Sequence, residues 1–286
     1  MIEHAAKSEN VLEDTPTPTQ TNAFVCPREF GAFNWVGLQT LFKREVNRFL
    51  KVGMQTLLAP VVSALLFMAI FKLAFPERGA VNGVEFADFI APGVIMMAIL
   101  NNAFQNTSSS ITIAKVQGST TDFLMAPLSS LELTLGFLAG GAARGILVGG
   151  ITMVCIGLIG VANVSIHSIP AFIFYAVIAS FMMAAVGLMG GIWAEKFDHL
   201  SAITNFVILP LTMLSGTFYP ITVFSEPFET LSHFNPFFHL IDGFRYAFTG
   251  TSEGSLMIGA AASGIIALVL CGACWAMLRS GYKLKA

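Results

Sequence analysis

The sequence predicts an all-α integral membrane protein with six transmembrane helices. Three observations carry that prediction. Only 11% of the 286 residues are charged and 55% are apolar, whereas a soluble domain of this length carries about a quarter charged residues. So few charges cannot solvate a globular surface, so the missing solvent is lipid. Second, the mean hydropathy of +0.73 comes from long continuous apolar runs. A β-barrel strand would alternate instead, and of the structures that satisfy their backbone in lipid this leaves helices. Third, Lys and Arg are distributed unequally between the links joining the runs.

A spanning helix needs about 20 mostly apolar residues. Six stretches qualify, at about 53–75, 89–113, 137–161, 171–194, 202–219 and 256–278. Lys43, Arg44, Arg48 and Lys51 precede the first, Lys115 follows the second and Lys196 the fourth. Arg279, Lys283 and Lys285 follow the sixth, and only Lys72, Arg78 and Arg245 fall on the other side. Cytoplasmic links carry the excess of basic residues, so both termini are expected in the cytoplasm, in keeping with an even number of spans. Trp193 and Trp275 fall at the cytoplasmic ends of spans four and six, where interfacial indoles belong.

The flanking segments differ in character. Residues 1–22 are polar and hold no apolar stretch of the kind a signal peptide needs, and residues 1–30 are expected to be a disordered cytoplasmic tail. Residues 33–51 are amphipathic: Trp35, Leu38, Leu41, Phe42, Val46 and Phe49 share one side, and Lys43, Arg44, Arg48 and Lys51 lie mostly on the other. Glu45 falls near the apolar side and is expected to pair with Arg48 or Arg44. Such a basic amphipathic helix lies in the membrane surface. Residues 220–250 continue an aromatic run that begins at Phe218, and Pro220, Pro227 and Pro236 forbid one helix there. Two short helices joined near Asn235-Pro236 are expected, dipping into or resting on the outer leaflet.

What the spans lack is as informative. None contains Asp, Glu or His, the groups that ion-coupled carriers place at mid-membrane and that acid–base catalysis needs. No Gly-Lys dipeptide occurs, so there is no P-loop. Energy for pumping would have to enter from a partner at the cytoplasmic face. There is no basic patch for nucleic acid, and Cys271-x-x-Cys274 sits without a histidine inside an apolar run, as two small residues of a span. The largest cytoplasmic link, from Lys115 to about Leu135, offers a docking site. Ser119-Thr120-Thr121-Asp122 has capping-box spacing, and Phe123, Leu124 and Met125 follow on a short helix that Pro127 ends. These side chains suit either insertion into a partner's groove or packing on the protein's own base. Arg144 is the unusual residue of span three. It is expected to snorkel toward the inner boundary, one position off a small-residue face of Gly141, Gly145 and Gly149 that allows close helix approach.

Several segments occur here in a known order: KREVNRFLK before span one, QGSTTDFLMAPLSSLELTLG after span two, GGAARG early in span three, and SGTFYPI and LSHFNPFFHLIDGFRYAFTG before span six. Together they resemble the permeases of the ABC-2 type family, membrane subunits of ATP-binding cassette exporters, over nearly all of the chain after residue 30. The resemblance implies that residues 31–286 form one transmembrane domain with an interface helix, a coupling helix (Asp122, Phe123, Leu124, Met125) and outer re-entrant helices. It implies two permeases, expected to be identical, with two ATPase subunits that hold the ATP and Mg; this chain would bind no cofactor and hydrolyse nothing. The expected activity is export of an amphiphilic, lipid-linked or drug-like compound across a bacterial inner membrane, with Arg144 as a gate or substrate contact and Lys43, Arg44, Glu45 and Arg48 on the interface helix. An ATPase-independent channel or facilitator is the alternative. A reporter fused after residue 286 and one inserted within residues 76–86 should show opposite sidedness, and equal sidedness would overturn the six-span topology.

Overall fold

The computed structural model describes residues 33–74, 83–223, 225–226 and 228–284; the tail expected at 1–30 lies outside them. Among the described residues there are helices and no strand. α1 (Trp35–Lys51) leads into a π turn (Met54–Leu58) and α2 (Ala59–Ala74). α3 (Phe86–Val116), the short α4 (Thr120–Leu124), α5 (Ser130–Ile159) and α6 (Ile169–Trp193) follow. The chain continues as α7 (Phe197–Ile203), a second π turn (Thr204–Ile208) and α8 (Leu209–Met213). A 3₁₀ turn (Ile221–Val223), α9 (Phe228–Phe234), α10 (Pro236–Thr249) and α11 (Leu256–Ser280) complete it.

Five helical stretches are long and apolar enough to cross a membrane: Met54–Ala74, α3, α5, α6 and α11. They cover the expected spans one to four and six. The fifth stretch differs from its expected bounds. Helix begins at Phe197 and stops at Met213, because the chain turns through Ser215 and Gly216, whose positive φ of 74° suits glycine. Thr217 and Ser215 then hydrogen-bond back to Thr212 O, Thr217 at 2.9 Å. Both π turns lie just ahead of a proline, Pro60 and Pro210. A proline offers no N–H to the carbonyl four residues back and crowds it, and widening the preceding turn relieves that conflict.

α3 is the centre, packed against α5, α6, α2 and α10. The small residues of α5 permit this. A Cβ on Gly145 would stand 2.9 Å from Ile99 O and 3.0 Å from Ala103 Cβ, so the α3 and α5 backbones touch here, as the Gly141, Gly145, Gly149 spacing predicts. Gly187 gives α6 the same access to Phe104 O. Helix ends fix the directions. Lys115 at the end of α3 donates to Ile192 O (2.7 Å) and Ala194 O (2.6 Å) at the end of α6. Lys283, beyond α11, reaches Glu195 at 3.3 Å, while the α6 residue Tyr175 donates to Leu256 O at the start of α11. Lys72 of α2 donates to Gly160 O and Val161 O past the end of α5. Thus α3, α6 and α11 run one way, and α2 and α5 the other.

The two helices expected around Asn235-Pro236 are present. Asn235 caps α10 through Phe237 N at 3.0 Å and ties it to Leu211 O. α10 lies between α3, α6 and α11, and its Arg245 is not a solvent-facing cation: it is 2% exposed.

Gly145→Leu should force α5 off α3. Overpacking of this kind costs about 1–3 kcal/mol; the unfolding temperature in detergent should fall, while Gly150→Leu, which meets nothing within 4 Å, should leave it unchanged. Equal behaviour of the two variants would refute the close α3–α5 approach.

Candidate functional site

The middle of α3 reads Asn101-Asn102-Ala103-Phe104-Gln105-Asn106-Thr107-Ser108-Ser109-Ser110, a polar run inside a membrane-length helix. A search of the sequence for charges passes over it. The signal is the hydropathy of α3, 1.4 against 2.0–2.2 for the other four long helices. In lipid such side chains need protein partners or a water-filled cavity, and α3 has both. Thr107 donates to Ala184 O of α6 at 2.8 Å. Toward α1, Ser110 donates to Glu45 at 2.8 Å. Asn101, Asn102, Gln105, Ser108 and Ser109 line an open cavity of about 1000 Å³, bordered elsewhere by α2, the end of α1, and Ser201, Thr204 and Asn205 of the α7 stretch.

Two arginines reach this cavity, one from α1 and one from α5. Arg48 of α1 donates to Glu45 (3.1 Å), Asn106 O (2.7 Å), Asn106 Oδ1 (3.0 Å) and Ser109 Oγ (3.2 Å). Glu45 is 0% exposed, so the acid on the apolar side of α1 does pair with Arg48, and the pair sits against α3. Lys43 and Arg44 are exposed. Arg144 of α5 is 6% exposed. It stands midway along α5 and donates to Asn102 Oδ1 (3.1 Å) and Gln105 Oε1 (3.5 Å). The polar stripe of α3 makes the inward rotamer possible.

The link between α3 and α5 departs from the sequence reading in two places. Ser119 makes no side-chain cap on α4; its hydroxyl goes to Ala114 O instead. The capping box forms one element later, between Ser129 and Glu132 at the start of α5, and the sequence signal for it, Ser-x-x-Glu, was there to be read. Glu132 also accepts the Asn34 N–H, and Asn34 donates to Pro127 O, so one carboxylate ties the starts of α1 and α5 together. Phe123 is 3% exposed and meets the ring of Phe137 edge-on at 5.6 Å. A five-residue helix puts Thr120 and Phe123 on one face, and the bundle's base takes that face. Asp122 and Met125 are exposed, Met125 by 84%, with Leu124 between. Of the two placements left open for this link, Phe123 takes the protein's own base, while Asp122 and Met125 stay exposed.

Among the described residues no group of His, Cys, Asp and Glu could hold a metal ion. Cys274 packs against α6, its thiol 3.2 Å from Ala185 O.

Residues 36–249 match the family described as ABC-2 type transporter. The chain is 34% identical over 255 residues to the inner membrane transport permease YadH of Escherichia coli K12, covering 88% of this chain and 98% of that protein. It is 25% identical over 196 residues to nodulation protein J of Sinorhizobium fredii, covering 67% of this chain and 72% of that one. With the inner membrane transport permease YhhJ of E. coli K12 it shares 29% over 126 residues, 42% and 33% of the two chains.

Glu45→Ala would leave Arg48 without its carboxylate and Ser110 without an acceptor. Breaking a buried pair costs about 3–5 kcal/mol; Arg48 opens to the cavity, so a loss nearer ~2 kcal/mol is expected, read as a lower unfolding temperature. Glu45→Ala/Arg48→Ala should recover part of it. An unchanged unfolding temperature in the single variant would show that the pair does not hold α1.

Proposed function

Because the chain belongs to the ABC-2 type transporter family, and is therefore a membrane transport permease subunit, we propose that it exports an amphiphilic, lipid-linked or drug-like substrate across a bacterial inner membrane, driven by a separate ATPase. The observation that carries the reading is the polar cavity beside α3. It is large enough for a drug-sized or lipid headgroup ligand, it is set within membrane-length helices, and its lining holds two arginines and no carboxylate. A carrier coupled to protons or cations would place an acid there. The energy is therefore assigned to ATP and Mg on the partner, with no hydrolysis in this chain.

Six crossings are part of the proposal. α6 and α11 run in the same direction, so the chain must return across the bilayer between residues 194 and 255. The α7–α8 stretch is its first helical run after α6. At ~1.5 Å per residue it reaches ~25 Å, most of the ~30 Å hydrocarbon core. Both termini are then cytoplasmic. Two permeases are proposed, identical and packed with two ATPases. The exposed apolar side chains of α2 and the α7 stretch, Leu66, Ile70, Phe206 and Val207, flank the cavity and would meet lipid or the second copy.

α4 is the proposed coupling helix, with the roles of its residues divided. Met125 and Asp122 face outward and would touch the ATPase, with Leu124 at the edge of that contact. Phe123 would pass its movement to Phe137, and so along α5 to Arg144 two turns further on. α1 is the proposed interface helix, its exposed Lys43 and Arg44 toward the headgroups.

Met125→Asp should cut capture of the cognate ATPase by the purified permease about tenfold or more, the scale for a lost apolar anchor, with folded yield intact. Phe123→Ala should instead lower folded yield, since emptying a buried aromatic site costs about 3–5 kcal/mol. Undiminished capture by Met125→Asp would remove α4 as the contact, and failure of the intact protein to capture any ATPase would leave an ATPase-independent channel as the better reading.

A further inference from the structure

The two arginines of the cavity are not equivalent. Arg48 has a carboxylate, a carbonyl, an amide oxygen and a hydroxyl. Arg144 has two neutral amide oxygens, both on Nη2. Its Nε is buried with no acceptor, and among the described residues Nη1 has none. No carboxylate lines the cavity, and Glu45 is spent on Arg48 and Ser110. The guanidinium is permanently charged, and a buried cation normally has its counter-charge beside it. Here the chain provides amides to hold Arg144 in place and leaves the anion out.

We infer that the cavity binds the single anionic headgroup of an amphiphile, with its phosphate- or carboxylate-type oxygens on Arg144 Nη1, and with Asn101 and Gln105 completing the polar contacts. The inference rests on the exporter reading and narrows its substrate class. An oxyanion supplies both the charge and the acceptors that Arg144 lacks, and charge-assisted bonds to guanidinium are the strong ones. A free anion would leave the rest of the site unused. Outward of Arg144 the cavity wall is Ala64, Phe67, Val94 and Met97, an apolar surface suited to a hydrocarbon chain. A cationic headgroup would face uncompensated positive charge.

The test uses the full-length protein in neutral maltoside micelles, without ATPase or nucleotide, so a failure here is distinct from a failure of ATPase coupling. Dodecyl phosphate, dodecyltrimethylammonium and inorganic phosphate are the probes, read by native mass spectrometry and by the shift in unfolding temperature. Dodecyl phosphate should be retained and should raise the unfolding temperature; the other two should do neither. Arg144→Gln should lose about tenfold or more of the binding, as expected for a missing charge-assisted bond, and Lys283→Gln, at the far cytoplasmic end, should lose none. Should Arg144→Gln fail to fold, Asn102→Asp decides the matter. It keeps Arg144 packed but gives it an internal carboxylate, so dodecyl phosphate binding should fall by a similar factor while the unfolding temperature without ligand holds or rises. Binding by folded Asn102→Asp equal to that of the unaltered protein, or equal retention of the cationic amphiphile, would overturn the inference. Inorganic phosphate bound as tightly as dodecyl phosphate would overturn the amphiphile assignment and point to a free oxyanion.

Discussion

Ten residues at the centre of α3 include eight polar side chains, and no lipid can satisfy them. Each unsatisfied polar group in a hydrocarbon setting costs several kcal/mol, so this one run constrains every helix around it. α6 approaches closely enough, at Gly187, to accept the Thr107 hydroxyl at Ala184 O. α1 brings Glu45 and Arg48 to Ser110, Ser109 and Asn106. α5 meets the same face through glycines and sends in Arg144. Asn101, Asn102, Gln105, Ser108 and Ser109 of the run line a cavity. The central helix thus sets both the packing of the bundle and the location of its polar cleft.

The same polar requirement reaches the base of the bundle, where α1 and α5 begin, by another route. Glu132 caps its own helix, accepts the Asn34 N–H, and so fixes where α1 begins relative to α5. Asn34 in turn caps α1 through Gly37 N at 2.9 Å. With Phe123 edge-on to Phe137, the short α4 is joined to the α5 shaft rather than suspended from it. Met125 stays exposed beside this packed contact, two turns of α5 ahead of Arg144.

Much of this was legible in the sequence. Continuous apolar runs located five long helices to within a few residues at most ends, and the glycine spacing in α5 named the face that touches α3. The basic residues of α1 and the proline at the α9–α10 joint were equally plain. The misses share a cause: each depended on a partner distant in sequence or on competition between local signals. Ser119 lost its capping role because its hydroxyl found Ala114 O, and the box at Ser129 and Glu132 was favoured instead. The fifth stretch ended early because Gly216 could turn where an apolar average could not warn of it. Of the two placements open for Phe123, the inward one depended on Phe137, fourteen residues on, to receive it. The polar run of α3 was visible but uncharged, and a reading attentive only to ionisable residues gave it no weight.

Two buried arginines in one membrane domain allow a comparison that neither permits alone. Arg245 of α10 stacks over the Phe89 ring at 3.8 Å, donates to Gly216 O at 2.6 Å and Phe89 O at 3.3 Å, and has Glu253 at 3.7 Å. Burial pushes the Glu253 carboxyl up, although the Ile221 N–H and Arg245 itself act the other way. Asp242 steadies the same loop by accepting Glu253 N and Gly254 N. Every element here belongs to the chain, and the result is a clasp joining α10, α3, the Gly216 turn and the start of α11. Arg144 has comparable burial and none of that compensation. The domain supplies an anion for one arginine and only amides for the other. The first closes a structure; the second faces the cavity, held by Asn102 and Gln105 with no carboxylate in the cavity lining.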